Sequence, residues 1–310
     1  MTSYVVRRIL YAIPILFGVS LVTFILFHVV GGDPVLTLLG KHASVDEMQE
    51  LRHQYGFDRP MVLQFVRYLG QIVTFNFERS FQTKQTIGKM LADGATVSLW
   101  LAVPPFFISQ FMSIVLAMLA AAFRGRMADR FIVIMSVLGM SVSVLAYILF
   151  GQFFLAFKLN WFPISGYESD FPDRITYLVL PWIIWIVISI GADVRFYRTI
   201  FLEELNQDYV RTAHAKGASP FRVLFVHVFR NALLPIITHV VIEIPFLFMG
   251  SLLLEAFFGI PGLGNLAVNA FNNADWPVVK AVTLLGAVLY ILGNLISDLL
   301  YAKADPRVAL

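Results

Sequence analysis

The chain has 310 residues, of which 58% are hydrophobic and 14% charged, with a mean hydropathy of +0.76 and a formal net charge of +3. Soluble domains carry about 25% charged and about 45–50% apolar residues, so this composition predicts a polytopic membrane protein. The small net charge does not indicate a nucleic-acid partner, and the lack of cysteine excludes disulfides, iron–sulfur clusters and thiol catalysis.

The first predicted element is an uncleaved membrane span over residues 1–30. Arg7 and Arg8 precede an uncharged apolar run from Ile9 to about Val30. The alternative is a signal peptide, whose apolar region has only about 7–15 residues and is followed by small residues at a cleavage site. The run here is longer and ends in HVVGGDP, which favours a span.

Residues 31–94 are predicted to form a helical insertion outside the bilayer. Ser44 and Glu47 have the spacing of a capping box, and Gly56 is suited to end the helix that they begin. A second amphipathic stretch covers Met61–Phe75. In the simplest interpretation the insertion only packs against the spans.

Five further spans are predicted, because about 20 apolar residues cross a bilayer. They cover Val97–Phe123, Phe131–Phe157, Ile175–Ala192, Ala232–Leu254 and Val278–Leu300. The fold class is therefore an all-α membrane protein with six transmembrane helices. In this division residues 95–302 form the membrane core, and residues 303–310 form a tail.

Lysine and arginine are distributed unequally between the two sides of this arrangement. Thirteen lie on the side that holds both termini, whereas three lie on the two short opposite loops and their flanks. The long first loop is left out, because long loops follow the positive-inside rule poorly. The rule predicts that both termini are cytoplasmic, together with the polar segment Leu205–Pro235.

The segment Leu205–Pro235 is too polar and basic for lipid, yet strongly apolar regions flank it on both sides. Gly217 can end one helix in a left-handed conformation. Ser219 is a good N-cap, and Pro220 suits the first position of the next helix. The pattern predicts a helical hairpin at the membrane surface.

Two interpretations of this hairpin stay open on pattern alone. Ala213 and Gly217 are four residues apart, so they would leave a notch on one helical face where another surface could dock. Arg211 and Lys216 would flank that contact. Alternatively, the hairpin rests on lipid headgroups, and its basic residues only follow the positive-inside rule.

Ionisable residues within the predicted spans are functional candidates. His239 and Glu243 lie four residues apart on one helical face, and Asp298 lies one turn after Asn294. They could bind a proton, a metal ion or a charged group of a substrate, or they could line a water-filled cavity or fix helix packing. Two ligands do not define a metal site, so no metal site is predicted.

No enzymatic pattern is present. The six histidines form no HExxH motif, and no nucleophile and base stand at a usable spacing, so no catalytic residue is predicted. A GxxxxGK[ST] phosphate loop is also missing, which means that ATP would have to be bound by a separate chain.

Several motifs resemble those of the integral membrane subunits of ATP-binding-cassette importers. The run YVRTAHAKGASPFRV, followed by FRNALLP, is similar to their cytoplasmic signature loop, and Arg211-Thr212 in place of Glu-Ala is typical of the oligopeptide/dipeptide/nickel branch. Further matches to that branch are Gly32-Asp33-Pro34, Tyr55-Gly56-Phe57-Asp58-Arg59-Pro60, Phe257–Gly264, Asp275–Val279 and Asn294-Leu295 with Asp298, Tyr301 and Asp305-Pro306-Arg307. The resemblance covers nearly the whole chain and is strongest to the first of the two peptide permease subunits.

This resemblance implies a type I importer permease fold in a bacterial or archaeal cytoplasmic membrane. The implied partners are a homologous second permease, two cytoplasmic ATPase subunits and an external substrate-binding protein. ATP and magnesium would be bound by the ATPases, so no cofactor is expected in this chain. Within a coupling loop of residues 198–231, the residues expected to contact an ATPase are Arg211, Ala213, Lys216, Gly217, Ser219, Pro220 and Phe221.

The leading hypothesis is a permease subunit for peptides or similar small solutes. A nickel importer of the same family is one alternative, and a proton-driven transporter using Glu243, His239 and Asp298 is another. A membrane-embedded enzyme would need a constellation that the chain lacks. Relatives tend to carry apolar residues, glutamine or glycine where this chain has His239, Glu243 and Pro245, so a general translocation path cannot be assumed there.

Overall fold

A computed structural model describes residues 2–29, 35, 44–77, 79–247 and 251–304. Within these ranges the chain is helical, and its only β-pairing is an isolated bridge between Arg79 and Thr86. Five helices are long and apolar enough to cross a membrane, and two bent helix pairs pass the same test. The prediction of an all-α membrane protein is confirmed.

The helices of the described residues are named here by their bounds. In chain order they are α1 (Thr2–Val29), α2 (Val45–Tyr55), α3 (Met61–Thr74), α4 (Ile87–Ala122), α5 (Met127–Ser141), α6 (Val144–Gly151), α7 (Asp173–Leu205), α8 (Asp208–Ala215), α9 (Pro220–Arg222), α10 (Phe229–Leu247), α11 (Leu252–Phe258), α12 (Leu263–Asn272) and α13 (Trp276–Ala304). π-Helical segments extend α6 over Gln152–Lys158 and join α9 to α10 over Val223–Val228.

The insertion after α1 begins with the predicted capping box. The Ser44 Oγ accepts a hydrogen bond from the Glu47 backbone N–H at 3.3 Å, and the Glu47 carboxylate accepts one from the Ser44 N–H at 2.9 Å. These bonds lower the pKa of Glu47. Gly56 ends α2 at φ +72°, and α3 covers the predicted second stretch. Both helices are therefore confirmed.

Aromatic rings hold α3 against α1. Phe24 lies 5.2 Å from Phe65 and 6.2 Å from Tyr68 between ring centroids. Burial raises the pKa of Tyr68 to about 12. The Lys280 ammonium of α13 lies 5.5 Å from the Phe24 ring and 5.6 Å from the Tyr68 ring, beside a cavity of about 300 Å³. These contacts belong to one aromatic, basic cluster around the insertion.

The predicted span Phe131–Phe157 is not one straight helix. α5 and the helix that begins at Val144 meet at 94°. Ser143 is extended, with φ −68° and ψ 149°, and its Oγ accepts a hydrogen bond from the Ala146 N–H at 3.2 Å. This residue therefore caps a new helix inside an uncharged apolar run, where hydropathy alone indicated continuity.

The predicted span Ala232–Leu254 is also wrong in its extent. α10 ends at Leu247, and α11 is a separate short helix that makes an angle of 74° with α12. Glu255 of α11 is fully buried, and its carboxylate accepts hydrogen bonds from Ser98 Oγ at 2.7 Å and from the Asn265 N–H at 3.0 Å. These bonds hold α11 beside the start of α12.

Two glycines allow this close approach. A Cβ on Gly262 would lie 2.5 Å from the Glu255 carboxylate and 2.6 Å from Ser98 Oγ. A Cβ on Gly264 would lie 2.7 Å from the Leu252 Cα. Both distances are shorter than real Cβ contacts, so the N-cap of α12 at Gly262 and its first turn at Gly264 require glycine.

The described residues group into two compact units. One contains described residues of 1–98, 248–256 and 261–295, and the other contains those of 99–247, 257–260 and 296–310. The first unit has a core that includes Phe27, Ile87, Leu91, Leu263 and Val278. The core of the second unit includes Val194, Tyr197, Phe201, Val210, Ala213, Val223, Leu224, Val228, Ala232 and Ile236.

Candidate functional site: a surface hairpin and an intramembrane polar cluster

The turn between α8 and α9 has the geometry that the sequence predicts. Gly217 is left-handed at φ +79°, and its N–H donates to the His214 carbonyl at 2.9 Å. The Ala218 N–H donates to the Ala213 carbonyl at 3.1 Å. This pair of bonds is the Schellman motif, which satisfies the last carbonyls of a helix. Gly217 therefore ends α8 as predicted.

The second half of the hairpin begins at the predicted cap. Ser219 is extended, and its Oγ accepts a hydrogen bond from the Arg222 N–H at 3.4 Å. Pro220 occupies the first helical position, where its missing N–H leaves no donor unsatisfied. From there the helical path continues through the π-helical segment into α10. The predicted helix, turn and helix are confirmed.

The predicted notch between Ala213 and Gly217 is not formed. Ala213 is only 8% exposed, because it faces the core that α8 shares with Val223 and Val228. Gly217 lies beyond the end of α8, which stops at Ala215. The helix is too short for positions 213 and 217 to share a face, so Ala213 contributes to packing and not to an open surface.

The exposed face of the hairpin is aromatic and basic. Phe221 is 71% exposed and stacks on Phe225 at 4.3 Å between ring centroids. Lys216 is exposed as well, and the Arg211 guanidinium reaches the Asp208 carboxylate at 3.4 Å at the surface. Of the residues predicted for coupling, all except Ala213 lie on the exposed surface: Arg211, Lys216, Gly217, Ser219, Pro220 and Phe221.

An ion pair between buried Asp129 and partly exposed Arg198 connects α5 to α7 where the predicted coupling loop begins. Arg198 holds Asp129 with two hydrogen bonds, Nε to Oδ1 at 2.7 Å and Nη2 to Oδ2 at 2.8 Å. Asp129 is 4% exposed and also accepts the Gly125 N–H at 2.8 Å. Both oxygens of the Asp129 carboxylate thus accept hydrogen bonds. These bonds hold Arg198, the first residue of the predicted coupling loop, in place.

The candidate pair His239 and Glu243 belongs to a larger cluster. The His239 Nδ1 lies 3.7 Å from a Glu243 carboxylate oxygen and 3.3 Å from the Tyr197 hydroxyl. Gln110 of α4 donates through its amide nitrogen to Asp193 at 3.1 Å and to Glu243 at 2.8 Å. Its amide oxygen accepts a hydrogen bond from Tyr197. Three helices therefore contribute to one polar site.

The sequence pattern identified only His239 and Glu243, the two members of this cluster on α10. Asp193 lies on α7, so its approach to Glu243 depends on how α7 and α10 pack. The signal available in the sequence was an acidic residue directly after the predicted span Ile175–Ala192. Among the described residues the group close enough to share an ion is Asp193, His239 and Glu243. Asp298, in α13, is outside it.

Comparison with known proteins gives matches along the whole chain. Residues 113–310 match the family described as binding-protein-dependent transport system inner membrane component, and residues 1–102 match the N-terminal part of such membrane components. The oligopeptide transport system permease protein AppB of Bacillus subtilis is 34% identical over 314 residues. The di/tripeptide transport system permease protein DppB of Pseudomonas aeruginosa is 32% identical over 332 residues. The glutathione transport system permease protein GsiC of Shigella flexneri is 33% identical over 313 residues, and each comparison covers 99% of both chains.

Proposed function

This chain belongs to the family of binding-protein-dependent transport system inner membrane components, and we propose that it carries peptides as a permease subunit of an ATP-driven importer. Family membership supports the permease subunit over the proton-driven alternative. Peptide cargo is supported by the oligopeptide, di/tripeptide and glutathione systems in the names of the similar proteins. Nickel transport finds no such support among them.

The exposed surface of the hairpin supports the proposal that an ATPase subunit docks there. Phe221, at 71% exposed, is a large apolar side chain next to the turn, and the exposed basic residues Lys216 and Arg222 are close to it in the sequence. Aromatic residues and arginine are enriched at the centre of protein interfaces. The charge distribution of the spans supports a cytoplasmic position for this tip and for both termini. The ATPase would therefore meet an aromatic anchor with a basic rim.

The packing behind the hairpin supports transmission of movement into the membrane. Val210 of α8, Val223 and Val228 of the π-helical segment, and Ile236 of α10 share one core with Phe201 of α7. Packed cores shift between discrete arrangements and do not deform continuously. A displacement of the hairpin would therefore move α7 and α10 with it.

The remaining partners follow from the same role. A second, homologous permease subunit would complete the translocation pathway, and two ATPase subunits would bind ATP and magnesium. An external substrate-binding protein would deliver the peptide and perform much of the selection. ATP would then be bound by the ATPase subunits, which is consistent with the missing phosphate-loop motif in this chain.

The test is uptake by cells that lack the native gene and carry it on a plasmid. We expect the wild-type chain to restore uptake of labelled peptide and Phe221→Asp to abolish it, with the same amount of protein in the membrane. Phe75→Asp is the matched control, because Phe75 is 62% exposed on the external insertion. Restored nickel uptake without peptide uptake would overturn the cargo, and normal uptake by Phe221→Asp would overturn the docking site.

A further inference from the structure

The polar cluster of Gln110, Asp193, Tyr197, His239 and Glu243 places metal-binding atoms together inside the membrane part of the chain. One ligand atom each of Asp193, His239 and Glu243 lies within 4.8 Å of the other two. Asp193 is 4% exposed, while the side chains of His239 and Glu243 are 27% and 33% exposed. The group therefore has one buried carboxylate and two partly exposed side chains.

The charges of the cluster are not balanced by the protein. Within the described residues neither Asp193 nor Glu243 forms an ion pair with lysine or arginine, and the basic group in contact with Glu243 is the His239 imidazole at 3.7 Å. Arg198, on the same helix as Asp193, is engaged by Asp129. Two carboxylates in a poorly hydrated site repel each other unless a cation or protons compensate them.

Gln110 orients the two carboxylates in a way that suits a bound cation. Its amide nitrogen donates a hydrogen bond to one oxygen of each carboxylate, Asp193 Oδ2 and Glu243 Oε2. The other oxygen of each carboxylate is then available to bind a cation. The remaining Glu243 oxygen, Oε1, is the one that faces His239 Nδ1 at 3.7 Å. Metal ligands are commonly held by such hydrogen bonds from neighbouring groups.

We propose that Asp193, His239 and Glu243 bind one divalent transition-metal ion, with Gln110 as a positioning residue. Metal–ligand bonds of about 2.0–2.2 Å place the ligands of one ion about 3–4 Å apart, so the His239–Glu243 distance already fits. One imidazole and two carboxylates favour zinc, nickel, iron or manganese over calcium and magnesium, which prefer oxygen-only sites. The ion would bridge α7 and α10, whatever cargo the transporter carries.

The experiment uses the full chain, purified in detergent and stripped of metal with a chelator. We expect calorimetric titration with zinc or nickel chloride to give one equivalent bound, and calcium and magnesium chloride to give none at the same concentrations. Asp193→Asn, His239→Ala and Glu243→Gln should each weaken binding by more than about 100-fold. Gln110→Ala should retain one equivalent with about 10–100-fold lower affinity, which a purely structural role would not produce.

The matched controls are Glu203→Gln and His214→Gln, which remove an exposed carboxylate and an exposed imidazole outside the cluster. They should bind metal as the wild type does. Copper(II) added to the wild type should show paramagnetic resonance coupling to one imidazole nitrogen, and this coupling should disappear in His239→Ala. The number of metal ions bound is measured on the wild type and does not depend on any variant. The proposal therefore stays testable even if a variant misfolds. Absence of binding by the wild type, or undiminished binding by all three ligand variants, would overturn it.

Discussion

Buried carboxylates identify single residues on which the packing depends. Glu255 is fully buried and accepts hydrogen bonds from Ser98 and from the backbone of Asn265. Asp275 is 3% exposed and accepts the Phe81 N–H at 3.0 Å, which ties the end of the insertion to the start of α13. Each carboxylate accepts hydrogen bonds from protein donors instead of from water. The groups that donate these bonds therefore have little freedom to move.

Gly262→Ala is expected to destabilise the first unit. The new methyl group would lie 2.5 Å from a carboxylate that Ser98 and Asn265 hold in place. Overpacking of this kind costs about 1–3 kcal/mol. Thermal unfolding in detergent should therefore show a lower midpoint than the wild type. Gly286→Ala is the control, since nothing lies within 4 Å of its Cβ position; equal midpoints for the two variants would contradict the packing account.

Arg198→Ala is expected to be strongly destabilising, because it leaves the buried Asp129 carboxylate without its guanidinium. Breaking a buried ion pair costs on the order of 3 kcal/mol, somewhat less where one partner is partly exposed, as Arg198 is at 24%. Arg198→Lys should be intermediate, since lysine keeps the charge and loses the two-pronged geometry.

Arg211→Ala provides the comparison for that prediction. Its partner Asp208 is also at the surface, with 94% of the side chain exposed, so the loss should be below about 1 kcal/mol. Unfolding midpoints of the Arg198 and Arg211 variants, measured under one condition, show which ion pair contributes more to stability. If the two alanine variants lose the same stability, the buried pair is not an anchor.

At the scale of elements, the sequence predicted those parts whose boundaries are encoded locally. The capping box at Ser44, the left-handed Gly217 and the Ser219-Pro220 start each need only a few neighbouring residues, and all are confirmed. Apart from Phe131–Phe157 and Ala232–Leu254, the predicted apolar spans were also located correctly. Hydropathy could not reveal the breaks, because the bend at Ser143 and the separate α11 preserve apolar composition while changing direction.

The polar cluster shows the corresponding limit for the site. His239 and Glu243 are related by helical spacing and were recognised together, whereas Asp193 joins them only through the packing of α7 against α10. Ala213 is the reverse case. Its small size indicated an open notch, but the residue is buried in the core of its own chain.

Gly217→Glu is expected to abolish coupling while retaining the fold. The position is left-handed with open space around its Cβ, so a side chain adds backbone strain of about 1 kcal/mol and no internal clash. A long acidic side chain would instead obstruct a docking partner. Gly217→Asn is the control, because asparagine tolerates the left-handed conformation and is short. Peptide uptake should be lost in the first variant and largely kept in the second; uptake by Gly217→Glu at the wild-type rate would remove the hairpin from the coupling route.

At the scale of the whole molecule, a permease subunit must turn contact with a separate ATPase into a rearrangement of its spans. The core shared by α7, α8, the π-helical segment and α10 offers a continuous packed route. The three proposed metal ligands of the polar cluster lie on α7 and α10, the same two helices that this core joins to the hairpin. A two-state movement of these helices would therefore also change the distances from Asp193 to His239 and to Glu243.

The central claim, that an ATPase subunit binds the hairpin, is tested most directly by cross-linking. The chain contains no cysteine, so Phe221→Cys introduces a unique thiol at the exposed tip. A short, cleavable thiol-to-amine reagent applied to membranes should join this residue to an ATP-binding subunit, identified by mass spectrometry. Phe75→Cys, on the insertion that we propose to lie on the opposite side of the membrane, should not form this cross-link. Cross-links from position 221 only to lipid, or equal capture of the ATPase from both positions, would contradict the account.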